Sequence, residues 1–286
     1  MIIVYVDDIL IVCKSEEKIK RLIKYLNEFL EAKDLEVRNY LGINIKRDEN
    51  KFLLSQKSKI EKLKMMFCPD SHKPSYTPMD TSYPKEEDVS PPVDNTKYRQ
   101  AIGALLFIAT VTRPDINLAV NLLSRKNESP KEKDWKAVLR VIEYLNSTKD
   151  ICLKIDCDSP PSLSCYTDAD YASDLTTRRS TGGNLFFLGN SPIFWSTKRQ
   201  NCVSLSSTES ELISAATAAQ ELKWILDLLK DFDLPQKLPI KIYEDNKSTI
   251  ALIKQGKMNT RIKVKSLAFK KAVQLLIFSG TLLSTS

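Results

Sequence analysis

Three acidic stretches constrain this chain more than anything else in it. A short apolar strand, preceded by the turn Ser159-Pro160-Pro161, runs into Cys165-Tyr166-Thr167-Asp168-Ala169-Asp170-Tyr171. Thr208-Glu209-Ser210-Glu211 opens an Ala-rich helix, and Ile240-Lys241-Ile242-Tyr243-Glu244-Asp245-Asn246 reads as a second strand ending in a carboxylate. Hard cations take oxygen ligands, and a metal pair about 4 Å apart clamps both the attacking and the leaving oxygen of a phosphodiester. Carboxylates at two strand ends and one helix start suit that chemistry, with Mg2+ or Mn2+ as the expected cofactor.

The surroundings of these stretches are α/β from about Ile151 onward. Leu163–Thr167 is a strand, and Gly182–Leu188 and Ile193–Ser196 are strands joined at the turn pair Gly189-Asn190. A long helix from about Thr208 to Phe232 buries Leu212, Ala215, Ala216, Ala219, Leu222 and Ile225; the strand Leu238–Tyr243 and the helix Lys247–Lys254 follow. Asp245 is preferred to Glu244, because alternation after Ile242 sends Tyr243 and Asp245 to one side. Glu209 and Glu211 are not separated this way. Both sit in the first helical turn, and Ser206 to Glu209 and Thr208 to Glu211 each have capping-box spacing.

Charge and cysteine usage narrow the function classes. The net charge is +7, and Asn246 to Lys271 carries eight basic residues and no acidic one, among them Lys247, Lys254, Lys257, Arg261 and Lys263. Such a run beside an acidic cluster fits a polyanion such as nucleic acid; a solvated helix face is the plainer alternative. The six cysteines form no C-x-x-C pair and the only histidine is His72, which argues against zinc and against histidine-based catalysis. Cysteines inside apolar runs read as reduced core thiols of a soluble intracellular protein of cytoplasm or nucleus. No secretory leader is visible, and the apolar tail Leu275–Ser286 is too short to span a membrane.

The first part of the chain has its own pattern. Ile2–Val6 and Ile9–Cys13 are β-rich runs separated by Asp7-Asp8, a tight hairpin for which an Asp-Asp turn is the bland reading. An amphipathic helix capped by Ser15 follows, then strands at Tyr40–Ile45 and Phe52–Gln56 and a helix with Ile60, Leu63 and Phe67. Six of the 13 prolines fall between Pro69 and Lys97, which marks a linker or extended surface segment. Tyr98–Thr110 is an apolar helix, Pro114 starts another, and Ser129-Pro130-Lys131-Glu132 has the form of a capping box opening a third. The expected units are 1–68, a linker at 69–97, a helical connection at 98–150, and a carboxylate domain at 151–286.

These segments resemble, in order, the polymerase and ribonuclease H regions of Ty/copia-type retrotransposon polyproteins. Tyr5-Val6-Asp7-Asp8 looks like the catalytic loop of a reverse transcriptase palm. Leu54-Ser55-Gln56, Thr77-Pro78-Met79, Tyr98-Arg99-Gln100-Ala101-Ile102-Gly103, Thr112-Arg113-Pro114-Asp115-Ile116 and Arg140-Val141-Ile142-Glu143-Tyr144-Leu145 match the region that follows it. Packing alone suggests no reason for Thr-Arg-Pro-Asp-Ile. Tyr166–Ala172, Arg179–Gly183, Phe194-Trp195-Ser196, Ser206–Glu211 and Tyr243–Asn246 resemble the ribonuclease H domain, and the likeness extends to about residue 263.

The resemblance implies an α/β chain: a palm and thumb remnant, a helical connection, and a ribonuclease H-like mixed sheet with flanking helices. It implies two-metal hydrolysis of the RNA strand of an RNA–DNA hybrid, with Asp168, Glu211 and Asp245 as catalytic metal ligands. Glu211 is chosen because Glu-Leu-Ile-Ser-Ala resembles the family's glutamate and its apolar run; Glu209 is the fallback. Two departures qualify the expectation. Asp7 and Asp8 lack the earlier palm aspartate, so DNA synthesis by this chain alone is not expected, and a complete polymerase polyprotein becomes a candidate partner. Arg261-Ile262-Lys263-Val264-Lys265-Ser266 stands where the family has Arg-Thr-Lys-His-Ile-Asp, so Ser266 replaces the fourth ligand and an impaired nuclease or a nucleic-acid-binding relic is expected.

Overall fold

The opening apolar runs pair as a hairpin of β1 (Ile2–Tyr5) and β2 (Asp8–Ile11), with Tyr5 opposite Asp8. The turn is therefore Val6-Asp7 rather than Asp7-Asp8, and Val6 takes a positive φ of 49°. α1 (Glu16–Asn27) is capped by Ser15, whose hydroxyl accepts the Lys18 N–H, yet none of its residues is fully buried. The computed structural model describes residues 1–13, 15–30, 39–70, 73–83, 89–255 and 276–279. His72, Lys257, Arg261, Lys263 and Ser266 lie outside them.

A four-stranded sheet follows, in the order β3 (Asn39–Tyr40), β4 (Ile43–Asp48), β5 (Lys51–Ser55) and β6 (Leu153–Asp156). The last strand comes from the stretch assigned by sequence to the carboxylate domain. Its pairing with β5 (Leu54 opposite Leu153, Lys51 opposite Asp156) ties the two regions together.

The boundary at residue 68 is crossed as well. α2 (Lys57–Phe67), α3 (Asn95–Val111), a 3-10 turn at Pro114–Ile116, α4 (Asn117–Ser124) and α5 (Glu132–Ser147) share one core. Ile60, Leu63 and Phe67 of α2 meet Tyr98, Ile102 and Leu105 of α3 and Val138, Ile142 and Leu145 of α5 there. α5 begins at Glu132, not at Ser129: the Asp134 carboxylate accepts the Lys131 N–H. The same carboxylate accepts the hydroxyl of Tyr83, at 2.6 Å, and Arg140 holds Thr77 through its hydroxyl and carbonyl. Thr77 and Tyr83 of the Pro-rich segment are thus fastened to α5.

Thr-Arg-Pro-Asp-Ile has a packing reason after all. Arg113 is 1% exposed, and its guanidinium makes a bidentate pair with Asp115 and also donates to the Thr148 carbonyl and hydroxyl. Tyr144 donates to the same Asp115, and Ile116 is fully buried. Thr112 donates to the Gln56 side-chain oxygen at 2.8 Å, so two of the quoted motifs meet inside the protein.

The five-stranded sheet carries the carboxylates. Its order is β11 (Leu276–Ser279), β10 (Ile240–Tyr243), β7 (Leu163–Asp170), β8 (Thr181–Leu188) and β9 (Ser191–Arg199). β7, β8 and β9 form an antiparallel meander closed at Gly189-Asn190, while β10 runs parallel to β7 and β11 parallel to β10. Alternation along β7 buries Leu163, Cys165, Thr167 and Ala169, and leaves Tyr166, Asp168 and Asp170 on the opposite face. α6 (Ser207–Asp231) lays Ala215, Ala219 and Leu222 over the buried face, and α7 (Lys247–Gln255) adds Ile250 and Ile253. β9 fastens the helical core to this sheet: Trp195 donates to the Ala109 carbonyl at 2.7 Å, and Asn117 and Asn121 donate to Thr197. No described helix is long and apolar enough to cross a membrane.

Candidate active site

The geometry of the site begins with two tyrosines. Tyr166 and Tyr243 are register partners across β7 and β10, and their rings stack 4.6 Å apart at 15°. Two residues further along each strand direction, on the same side, come Asp168 and Asp245. α6 supplies the third carboxylate. Ligand atoms of Asp168, Glu211 and Asp245 all lie within 4.8 Å of one another, the aspartates exposed and the glutamate buried.

The start of α6 divides the labour between its two glutamates. Ser206 caps the helix by accepting the Glu209 N–H, and the Glu209 carboxylate accepts the Leu205 N–H at 2.7 Å. Glu209 is therefore spent on the helix end, and Glu211 faces the aspartates. Ser214, one turn beyond Glu211, donates its hydroxyl proton to the Asp168 carbonyl at 2.8 Å, so Thr167 is the donor in the 2.9 Å contact between their hydroxyls. This close approach needs glycine at position 182, where a Cβ would come within 2.9 Å of the Ser214 hydroxyl.

Gathering acids raises their affinity for protons. Burial pushes the Glu211 carboxyl up to about 8, helped by the charges of Glu244, Asp168 and Asp245. Burial, with Asp245 and Asp168, pushes Glu244 up to about 7 against the pull of the Asn246 N–H. Asp168 is also raised, by burial and then by Asp245 and Asp170. The donor set is oxygen alone, and Glu211 Oε2 is sealed from solvent without a hydrogen-bond partner among the described residues. That arrangement fits a hard divalent cation. A groove of about 460 Å3 opens beside the carboxylates, lined by Tyr166, Tyr243, Trp195 and, from the helical core, Pro114 and Asn117.

Comparison with known proteins places the chain. No family model matches it. It is 35% identical over 273 residues to the retrovirus-related Pol polyprotein from transposon TNT 1-94 of Nicotiana tabacum, covering 92% of this chain and 20% of that protein. It is 35% identical over 225 residues to a transposon Ty5-1 protein of Saccharomyces cerevisiae, covering 77% of this chain and 73% of that one. The chain belongs to the Ty/copia-type retrotransposon Pol polyproteins. It spans about a fifth of the length of the tobacco polyprotein. The structure of the foamy viral protease-reverse transcriptase in complex with an RNA/DNA hybrid overlays 99% of this chain and 36% of that one, with 13% identity and a TM-score of 0.55. The fold is shared. The LC11-RNase H1 structure with an RNA/DNA hybrid covers 42% of this chain and 85% of that one, at 12% identity and a TM-score of 0.33.

Within this Pol segment the other expected site residues are scattered. Asp7 sits in the hairpin turn and Asp8 opens β2, both exposed, and neither belongs to a group of three or more metal-ligating side chains among the described residues. Lys247 and Lys254 are exposed on α7, whose Ile250 and Ile253 are buried. Asp174 is occupied away from the cluster by Arg199 at 2.8 Å and Arg125 at 3.7 Å. Sequence reasoning passed over Glu244, which is 1% exposed and lines the groove beside Asp168 and Asp245. The signal was present: alternation puts this acid on the core side with Ile242.

Proposed function

We propose that this Pol segment hydrolyses the RNA strand of RNA–DNA hybrids at a site built from Asp168, Glu211 and Asp245. The observation that carries the reading is the convergence of these three carboxylates within 4.8 Å, in a chain of this family and with this fold. Mg2+ or Mn2+ bound there would supply an activated water and charge neutralisation at the phosphodiester.

The chain's own residues do the rest. Asp168 and Asp245 present exposed carboxylates at the groove, and Glu211 closes the set from the buried side. Ser214 fixes the Asp168 backbone to the helix that carries Glu211, so the separation of these ligands does not drift. Lys247 and Lys254, with Lys257, Arg261 and Lys263 further along the sequence, offer positive charge for the phosphate backbone. A complete polymerase polyprotein is the partner in which Asp7 and Asp8 would serve DNA synthesis. A reducing compartment, cytoplasm or nucleus, accords with the six free cysteines.

The test is cleavage of a labelled RNA–DNA hybrid with magnesium and with manganese, comparing wild type, Asp245→Asn and Ser266→Asp. Cleavage that Asp245→Asn abolishes, while hybrid binding stays nearly intact, supports the reading. Cleavage that Asp245→Asn leaves unchanged refutes it. Activity seen only in Ser266→Asp assigns wild type as a nuclease short of one ligand. Binding without cleavage in all three makes the chain a nucleic-acid-binding relic.

A further inference from the structure

The corner where α4 meets the sheet carries more positive charge than its own acids answer. Asn117, Asn121 and the C-cap Arg125 are spaced four residues apart, so they lie on one side of α4. The asparagines donate to Thr197 on β9. Arg125 donates to the Thr181 hydroxyl on β8 at 3.2 Å and to the Asn121 side-chain oxygen at 2.9 Å. Thr181 is the register partner of Arg199 on β9 and of Asp170 on β7, two residues beyond the row of Thr197, Gly183 and Asp168. Residues directly opposite each other share a face, so Arg199 and Asp168 lie on the same side of the sheet, away from α6.

One carboxylate oxygen serves both guanidiniums. Asp174 Oδ2 is 2.8 Å from Arg199 and 3.7 Å from Arg125, while Oδ1 accepts the Thr177 N–H. The Arg125 side chain is 17% exposed and that of Arg199 36%, so water screens the surplus charge only in part. Burial, and then the neighbouring Arg199 charge, hold the Arg125 guanidinium below the usual arginine range. Backbone hydrogen bonds join Asp174 to Arg178 and Arg179, which add positive charge to the same loop. Against these four arginines stand Asp174 and Asp170. Guanidinium is the side-chain cation whose planar fork matches a phosphate. Adjacent strands are about 4.8 Å apart and a strand advances about 3.3 Å per residue, which puts the Arg199 backbone roughly 12 Å from that of Asp168. That span is about three to four base steps of a duplex at about 3.4 Å each.

We propose that Arg199 and Arg125 hold a backbone phosphate of the bound hybrid, about three to four base steps from the phosphodiester at the carboxylates. This rests on the reading that Asp168, Glu211 and Asp245 cut that hybrid. The pair is a positioning site: it fixes the register of the strand over the carboxylates and touches no reacting atom. Arg199 comes from the sheet and Arg125 from the helical unit, so the anchor depends on the packing of one against the other.

The test is binding of a fluorescent RNA–DNA hybrid to the full chain in a chelator, over a series of salt concentrations. Arg199→Gln should weaken binding and lower the slope of log affinity against log salt by about 1. Asp174→Asn leaves both guanidiniums uncompensated and should tighten binding, a gain that a purely structural ion pair does not produce. It carries the test if the glutamine variant does not fold. Neutral methylphosphonates placed one at a time along each strand locate the contact: at one position wild type should lose affinity and Arg199→Gln should not. An unchanged slope in Arg199→Gln, no gain in Asp174→Asn, or equal methylphosphonate losses in wild type and Arg199→Gln at every position overturns the anchor. The carboxylate reading then still stands if Asp245→Asn abolishes cleavage. A lowered slope in Arg199→Gln, with no cleavage by any protein, supports the anchor and removes the nuclease reading. A wild type that does not bind the hybrid overturns both.

Discussion

Replacing Glu211 by glutamine should make the metal-free protein more stable at alkaline pH, although it removes a central functional group. The Glu211 carboxyl is raised from an ordinary 4.5 to about 8, so between these values the folded chain holds a proton that the unfolded chain has released. Stability then falls as pH rises, because its slope follows the protons bound by the unfolded state minus those bound by the native state. Each unit corresponds to about 1.4 kcal/mol, which puts the loss near ~3 kcal/mol at pH 7 with an upper figure of ~5 kcal/mol above pH 8. Glu244, raised to about 7, pulls in the same direction. Urea unfolding followed by tryptophan fluorescence, in a chelator at pH 5 and pH 8.5, measures this directly. Wild type should lose several kcal/mol between the two, and Glu211→Gln should lose less, keeping the part due to Glu244. Adding Mn2+ at pH 8.5 should narrow the gap, since an ion at a hundred times its dissociation constant stabilises wild type by about 2.7 kcal/mol. A wild-type midpoint that is the same at both pH values refutes the electrostatic account, and so does a variant with the wild-type slope above pH 7.

Two further outcomes concern the frame. Arg113→Ala leaves Asp115 and the Thr148 carbonyl without their buried partner and should cost about 3 kcal/mol in urea unfolding; a cost below about 1 kcal/mol would mean that the cluster does not hold the helices. Burial alone would raise the Asp174 carboxyl, but the Arg199 guanidinium and hydrogen bonds from Thr177 overcome it and hold it at about 2. Asp174 should therefore contribute about 2 kcal/mol that is present above pH 3.8 and lost as pH falls towards 2. The stability gap between wild type and Asp174→Asn should shrink from pH 6 to pH 3, and a constant gap counts against the ion pair.

The site was largely legible because it depends on short-range rules. Strand alternation separates Asp245 from Glu244, and the helix start brings Glu209 and Glu211 into view. Capping-box spacing fits both glutamates, so only the Leu205 contact in three dimensions shows which one is tied to the helix end. What was not legible depends on distant partners. β6 pairs with β5 across about a hundred residues of chain, and nothing local in Leu153–Asp156 distinguishes that sheet from the one beginning at Leu163. Tyr83 sits in a proline-rich stretch whose composition reads as surface, yet its ring is buried because Asp134 lies beneath it. The same long range hides the purpose of Thr112-Arg113-Pro114-Asp115-Ile116, whose partners Gln56, Tyr144 and Thr148 come from other elements.

That last motif also joins the frame to the chemistry. At one end, Arg113 is held by Asp115 and Thr148 in the core of the helical unit. Immediately after it, Pro114 and Asn117 form part of the groove beside the carboxylates, and Asn117 donates to Thr197 on β9. A buried bidentate pair has little freedom to adjust, so Pro114 and Asn117 are set rigidly against a sheet edge that Trp195 and Asn121 also fasten. The width of the groove is thus determined by contacts between the helical unit and the sheet, not by the sheet alone. The unit that looks in sequence like a connection is therefore one wall of the groove, and substitutions in its core should alter the groove beside Asp168 and Asp245 without touching either.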